Sequence, residues 1–145
     1  MITLPNGFTV TEERKIFDPR DEATGSHGAE LLDATLAKRG DQWWMFLAGQ
    51  PGGFGATDLF SASLSPGASL SSQGWTLSRD GEGKLLPLAG REASSAWDGA
   101  GGRHCPCYVK GPDPHTDRWV ERIYYVGVGG KPVGSVCDRL RGMGR

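Results

Sequence analysis

Short apolar runs separated by glycine, proline, aspartate and serine recur along the whole chain. Two of them, WWMFLAG (Trp43 to Gly49) and ERIYYVG (Glu121 to Gly127), are rich in aromatic and β-branched residues and end at a glycine. Runs of this length and content, bounded by turn-forming residues, are typical of β-strands, and few stretches show the longer 3.6-residue apolar period of a helix. The pattern predicts an all-β chain.

The predicted strands occur twice in the same order, in repeats of about residues 6–72 and 73–145. The stretch NGFTV matches QGWTL, a Gly-x-His stretch ending at His27 matches one ending at His104, WWMFLAG matches ERIYYVG, and DLFSASLS matches PVGSVCDR. The second and third matches lie 77 and 78 residues apart, and the length difference at the first match falls in a stretch rich in glycine and serine. Surface loops tolerate such changes, so we interpret the halves as an internal duplication.

Each repeat contains four predicted strands, which we name D, A, B and C in chain order. They cover Phe8–Val10 and Trp75–Leu77 (D), Glu30–Leu36 and His104–Lys110 (A), Trp43–Ala48 and Arg122–Val128 (B), and Leu59–Leu64 and Val133–Cys137 (C). A four-stranded antiparallel unit repeated at a long period is typical of a β-propeller blade. We therefore predict one domain, residues 1–145, made of two propeller-like blades. The alternative is a β-sandwich in which the two halves pack on each other.

The stretches HGAELLDATLAKRGDQWWMFLAG and RHCPCYVKGPDPHTDRWVERIYYVG, with LFSASL and SSQGWTL, resemble the blades of five-bladed propeller glycosidases, namely glycoside hydrolase family 43 and its relatives. In that family the catalytic carboxylates lie at the starts of A strands, where this chain has His27 and His104. Glycoside cleavage needs two carboxyl groups at a fixed separation. The resemblance therefore implies a non-catalytic, carbohydrate-binding propeller module. Two alternatives stay open: a divergent glycoside hydrolase that uses Asp18, Asp98 or Glu30, and a purely structural oligomer.

The mouth of a central channel is where propellers bind ligands, and four residues are expected there. They are His27, His104, Arg103 and Trp97. The competing interpretation is structural: the imidazoles or Arg103 hydrogen-bond loop carbonyls, and Trp97 anchors its loop. Two blades would leave apolar faces and strand edges exposed, so we expect the chain to complete a ring with copies of itself. A homotrimer is the first expectation and a homodimer the second.

The charge balance excludes several classes of partner. Sixteen basic and seventeen acidic side chains are well mixed, with a net charge of −1, so we expect neither nucleic-acid nor membrane binding. No signal peptide is evident, and three cysteines suggest a reduced, cytoplasmic protein. Strand alternation predicts that Cys105 and Cys107 are small buried residues. Structural zinc sites usually show wider cysteine spacing and a second ligand pair, so we predict no metal and no cofactor.

Overall fold

All regular secondary structure in the described part of the chain is β-strand. The structure is a computed structural model, and it describes residues 2–3, 9–10, 16–18, 30–50, 57–88 and 102–128. The strands are β1 (Ile2–Thr3), β2 (Thr9–Val10), β3 (Glu30–Arg39), β4 (Gln42–Gln50), β5 (Asp58–Leu64), β6 (Trp75–Leu77), β7 (Gly102–Pro112) and β8 (Trp119–Val128). The all-β prediction is confirmed. Within these ranges there is no helix long and apolar enough to cross a membrane.

The first sheet is antiparallel and has the strand order β3-β4-β5-β6. Its strands contain the predicted A, B and C strands of the first repeat and end with Trp75–Leu77, the predicted D strand that follows them. Because side chains alternate along a strand, one face carries the apolar residues of β4, β5 and β6. This face forms the core, which consists of Met45, Leu47, Phe60, Ala62, Leu64, Trp75 and Leu77.

Trp75 closes one end of this core. The indole is almost completely buried, and its Nε1–H donates a hydrogen bond of 3.0 Å to the carbonyl oxygen of Leu70. Ile16, Phe17 and Leu85 pack against the same face from outside the sheet. Burying an aromatic or aliphatic side chain of this size contributes about 1.5–3 kcal/mol, so the cluster gives the first sheet a core of its own.

The second sheet is the β7–β8 hairpin, which corresponds to the predicted A and B strands of the second repeat. The predicted C strand, Val133–Cys137, lies outside the described residues. Near the start of the chain, β2 covers most of the predicted strand Phe8–Val10, and it pairs with β1 in a third, two-stranded sheet.

Both A strands contain the same irregularity. The register shifts between Leu32 and Thr35 in β3 and between His104 and Cys107 in β7, so in each case two residues oppose one on the partner strand. The first residue of each bulge is left-handed: Asp33 has a φ of 47° and Cys105 a φ of 49°. These are β-bulges, which bend a strand and re-aim its side chains.

When the two bulges are aligned, each residue of β3 corresponds to the residue 72 positions later in β7. The B strands, β4 and β8, keep the predicted spacing of 78 residues. The spacing changes because the β7–β8 hairpin has one more residue pair and a longer connection than the β3–β4 hairpin. His104 therefore corresponds to Leu32. His27, which the sequence analysis matched with His104, lies outside the described residues, so that match stays a prediction.

The two sheets are in contact through β7. The rings of Phe46 and Tyr108 stack with centroids 5.8 Å apart and planes inclined by 23°. The amide of Tyr108 donates to the Thr35 hydroxyl at 3.4 Å, and Thr57 and Gly102 form an isolated parallel bridge. The second sheet is thus packed across the first through β7, with the two bulges side by side.

Candidate functional site at the paired bulges

Asp33 and Cys105, the first residues of the two bulges, are joined by hydrogen bonds. The backbone N–H of Cys105 donates to Asp33 Oδ2 at 3.2 Å, and the thiol donates to the same oxygen at 3.5 Å. Both residues are exposed. With His104, the residue before Cys105 in β7, and Thr57, whose hydroxyl contacts the His104 imidazole, they form what we call the paired-bulge site.

The backbone at this site is strained. A left-handed conformation costs a residue other than glycine about 1–2 kcal/mol, although aspartate tolerates it better than most. Such strain persists only where the surrounding structure maintains it, and it is concentrated at functional sites. Two left-handed residues at equivalent positions of two repeats, in direct contact and open to solvent, identify this region as the strongest site candidate among the described residues.

The Cys105 thiol acts here as a hydrogen-bond donor. Its hydrogen bond to Asp33 raises the pKa of the thiol above the usual 9.0, and desolvation and the negative charge of Asp33 raise it further. A thiol must lose its proton to act as a nucleophile. Cys105 is therefore suited to holding the Asp33 carboxylate in place and not to covalent catalysis.

His104 is fixed by Thr57. The Thr57 hydroxyl lies 2.7 Å from His104 Nε2, and Thr57 itself is almost fully buried at the beginning of β5. The half-buried imidazole is thus held by the residue that precedes β5 of the first sheet, and the Asp33 carboxylate is held by Cys105 of the second sheet. Side chains fixed in this way by packed strands make a more precise binding site than side chains on loops.

Gly102 allows the close approach of β7 to Thr57. It has a φ of 103°, and a Cβ at this position would lie 2.7 Å from the Thr57 carbonyl oxygen and 2.6 Å from its nitrogen. The next amide, that of Arg103, donates to the Thr57 carbonyl at 3.0 Å. Only glycine satisfies both the conformation and the space, so this residue determines where the second sheet starts.

Arg103 faces the protein interior. It is 6% exposed, its Nη1 lies 3.6 Å from Asp58 Oδ1, and its guanidinium lies 6.0 Å from the centre of the Tyr125 ring. A buried arginine needs a charged partner, since an unpaired buried charge is strongly destabilising. These contacts favour the structural interpretation of Arg103 over the predicted ligand-binding one.

The structure describes only some of the other predicted site residues. Trp97 and Asp98, like His27, lie outside the described residues. Asp18 is half-buried, and Glu30 is exposed as the first residue of β3. No group of three or more histidine, cysteine, aspartate or glutamate residues in the described ranges is arranged to hold a metal ion.

The predicted burial of Cys105 and Cys107 is wrong, because both are exposed. Cys105, Cys107 and Val109 do share one side of β7, as alternation predicted, but that side is exposed while Pro106 and Tyr108 on the other side are more buried. Asp33 and Thr57 were not predicted as site residues. The only sequence signal for Asp33 is that a charged residue interrupts the apolar stretch ELLDATL, and Thr57 carries no signal of its own.

Comparisons of the chain with models of protein families, with curated proteins and with solved structures find no match. The resemblance to propeller glycosidases therefore stays a prediction. A function for this chain must therefore be argued from its own contacts.

Proposed function

We propose that this chain is a non-catalytic, propeller-like module that binds a carbohydrate at the paired-bulge site. The observation that carries the proposal is the direct contact of the two equivalent bulges, which holds an exposed carboxylate, that of Asp33, in a fixed position. The sheets packed through β7 and the four-stranded order β3-β4-β5-β6 support the propeller-like arrangement. His104 is the one predicted ligand-binding residue that belongs to this site.

The chemistry of the site suits a polyhydroxylated ligand. A carboxylate accepts hydrogen bonds at two oxygens, and an imidazole can donate or accept. One oxygen of Asp33 already accepts from Cys105, which fixes the carboxylate and leaves the other oxygen to accept from a sugar hydroxyl. Because the carboxylate is already fixed before a ligand binds, less side-chain entropy is lost on binding.

The site supports binding rather than hydrolysis. The duplication would supply a second carboxylate at the position equivalent to Asp33, but that position is occupied by Cys105, whose thiol donates a hydrogen bond to Asp33. Asp58, the acidic residue at the start of β5, is buried against Arg103. A glycosidase requires two carboxyl groups across the scissile bond. The site described here provides one.

Calorimetric titration with arabino- and xylo-oligosaccharides tests the proposal, because the resemblance implies these sugars. We expect saturable binding that Asp33→Asn weakens at least tenfold, since asparagine keeps the left-handed backbone but removes the charge. Asp117→Asn is the matched control: Asp117 is also exposed and left-handed, with a φ of 53°, but it lies in the β7–β8 connection. Equal affinities for the two variants, or no binding of any oligosaccharide, would overturn the proposal.

The same proteins can be tested for hydrolysis. We expect no release of p-nitrophenol from its arabinofuranoside or xyloside. Release that is abolished by Asp33→Asn, Glu30→Gln, Asp18→Asn or Asp98→Asn would replace the binding proposal with the hydrolase alternative.

A further inference from the structure

One face of the second sheet is exposed, although the equivalent face of the first sheet is covered. We call the exposed face the outer face; on it Arg122, directly opposite Val109, accompanies four apolar residues, namely Cys107, Val109, Tyr124 and Val126. In the alignment given by the bulges and the B strands, these residues correspond in turn to Thr35, Ala37, Phe46 and Ala48. The first-sheet residues are buried where the second sheet packs on them, with Ala37 2%, Phe46 3% and Ala48 0% exposed. On the outer face, Val109 is 42% and Val126 44% exposed.

The complementary half of the same contact is exposed on the first sheet. Within the chain, Tyr108 of β7 supplies the side chain that stacks on Phe46. The residue equivalent to Tyr108 is Leu36 of β3, which is 44% exposed. The chain thus makes one contact of this type internally and presents at its surface the outer face and, at the β3 edge of the first sheet, Leu36. Met45 and Leu47, the equivalents of Ile123 and Tyr125, are already buried in the core.

The two halves are compatible in size and charge. Leu36 is no larger than Tyr108, and Tyr124 offers the same aromatic ring as Phe46. Inside the chain the contact is bordered by an ion pair between Arg39 and Glu121, at 2.5 Å. Their equivalents are Gly111 and Trp43, so the second contact brings no like charges together at this position. Arg122 on the outer face is neutralised within its own chain by the ion pair with Asp113.

We propose that the outer face of one chain packs on the Leu36 edge of β3 in a second copy of the same chain, repeating between copies the contact that Tyr108 makes with Phe46 within one. The interface is heterologous, because the two surfaces differ, and it closes a ring if the rotation between copies allows closure. This inference does not depend on carbohydrate binding, which concerns the paired-bulge site.

Three single substitutions at exposed apolar residues test the interface without disturbing the core. Leu36→Glu and Val109→Glu each place a charge in one half of the contact. Leu70→Glu is the matched control, because Leu70 is 38% exposed in the connection between β5 and β6. In sedimentation velocity we expect the unmodified chain and Leu70→Glu to be oligomeric, and the other two variants to be monomeric with unchanged circular dichroism.

Mixing the two monomeric variants distinguishes this interface from a symmetric one. Leu36→Glu keeps its outer face and Val109→Glu keeps its Leu36 edge, so an equimolar mixture should form a complex of two chains through one intact contact. If the outer face packed on the outer face of another copy, Leu36→Glu alone would remain dimeric. That result, a monomeric unmodified chain, or a mixture that stays monomeric would each overturn the proposal.

Discussion

The two A–B hairpins of this protein have the same bulge and the same alternation, but their apolar residues are in different environments. In the first sheet, β4 is buried on both faces: Ile16, Phe17 and Leu85 pack against the core on one side, and the second sheet covers the other. In the second sheet, β7 and β8 are covered where they meet the first sheet and exposed on the outer face. Equivalent positions of the two hairpins therefore differ in burial because different residues pack on them. The strands themselves have the same bulge and the same alternation.

The two bulges likewise have the same backbone conformation but different contacts. Asp33 and Cys105 have nearly the same φ, yet one provides an accepting carboxylate and the other two donors, its amide and its thiol. The two residues therefore form the two sides of one hydrogen-bonded contact. The following predictions test how far the repeats are equivalent and where they differ.

The largest expected effect concerns the aromatic residues at the equivalent positions of β4 and β8. Phe46→Ala removes a buried ring that stacks on Tyr108, and truncation of such a residue typically costs about 3–5 kcal/mol. Tyr124→Ala should cost less than half as much, because Tyr124 is only half-buried in the single chain. Urea unfolding of both variants in the Leu36→Glu background measures the difference without a contribution from association. Equal losses of unfolding free energy would contradict the difference in burial between Phe46 and Tyr124.

The next effect concerns the point where the second sheet starts. Gly102→Ala should lower the free energy of unfolding by at least about 2 kcal/mol, since alanine is strained at a φ of 103° and collides with the backbone of Thr57. Gly111→Ala is the control, because a Cβ there meets no atom within 4 Å. We expect it to change stability by no more than about 0.5 kcal/mol. Thermal unfolding of both variants provides the comparison, and a tolerated Gly102→Ala would show that the two sheets are not joined as described.

A smaller effect is expected from the strained residue of the second bulge. Cys105→Gly and Cys105→Val both remove the thiol, but glycine adopts the left-handed conformation freely whereas a β-branched residue does not. The glycine variant should be more stable than the valine variant by about 1–2 kcal/mol. At Cys107, outside the bulge, the order should be reversed. If the order were the same at both positions, Cys105 would not be left-handed in solution.

The smallest effect is on thiol chemistry. The hydrogen bond to Asp33 raises the pKa of Cys105, so the thiolate fraction at any pH below that pKa is reduced. In a Cys107→Ser, Cys137→Ser background, Asp33→Asn should therefore speed the reaction of Cys105 with iodoacetamide at pH 8. The difference between the two proteins should disappear as the pH rises through the pKa of the folded thiol, where both become ionised. Equal rates at pH 8 would show that Asp33 and Cys105 do not interact.

The strands could be predicted from the sequence because alternation and turn residues are local signals. Predictions such as Trp43–Ala48 fall within observed strands, and Trp75–Leu77 matches β6. The bulges could not be predicted, since they depend on how β3 and β7 meet, and Asp33 is only a charged residue in an apolar stretch. The alignment of His104 with Leu32 depends on the bulges and could not be predicted either.

The candidate site was predicted only in part, because it also depends on contacts between residues that are distant in the sequence. His104 was expected near a ligand and lies in the paired-bulge site, whereas the burial of Arg103 depends on Asp58, a partner that lies 45 positions earlier in the sequence. The exposure of Cys107 and Val109 could not be foreseen from alternation, which separates two faces of a strand but does not say which one is covered.

The solution mass of the unmodified chain tests the central claim most directly. One chain has a mass of 15.5 kDa. If the outer face of the second sheet repeats the covered face of the first, light scattering on a sizing column will give two or more times this mass. Because the inferred contact is apolar, the mass should not fall when the salt concentration is raised to 1 M. A mass of one chain at all concentrations, with the outer face open to solvent, would contradict the account.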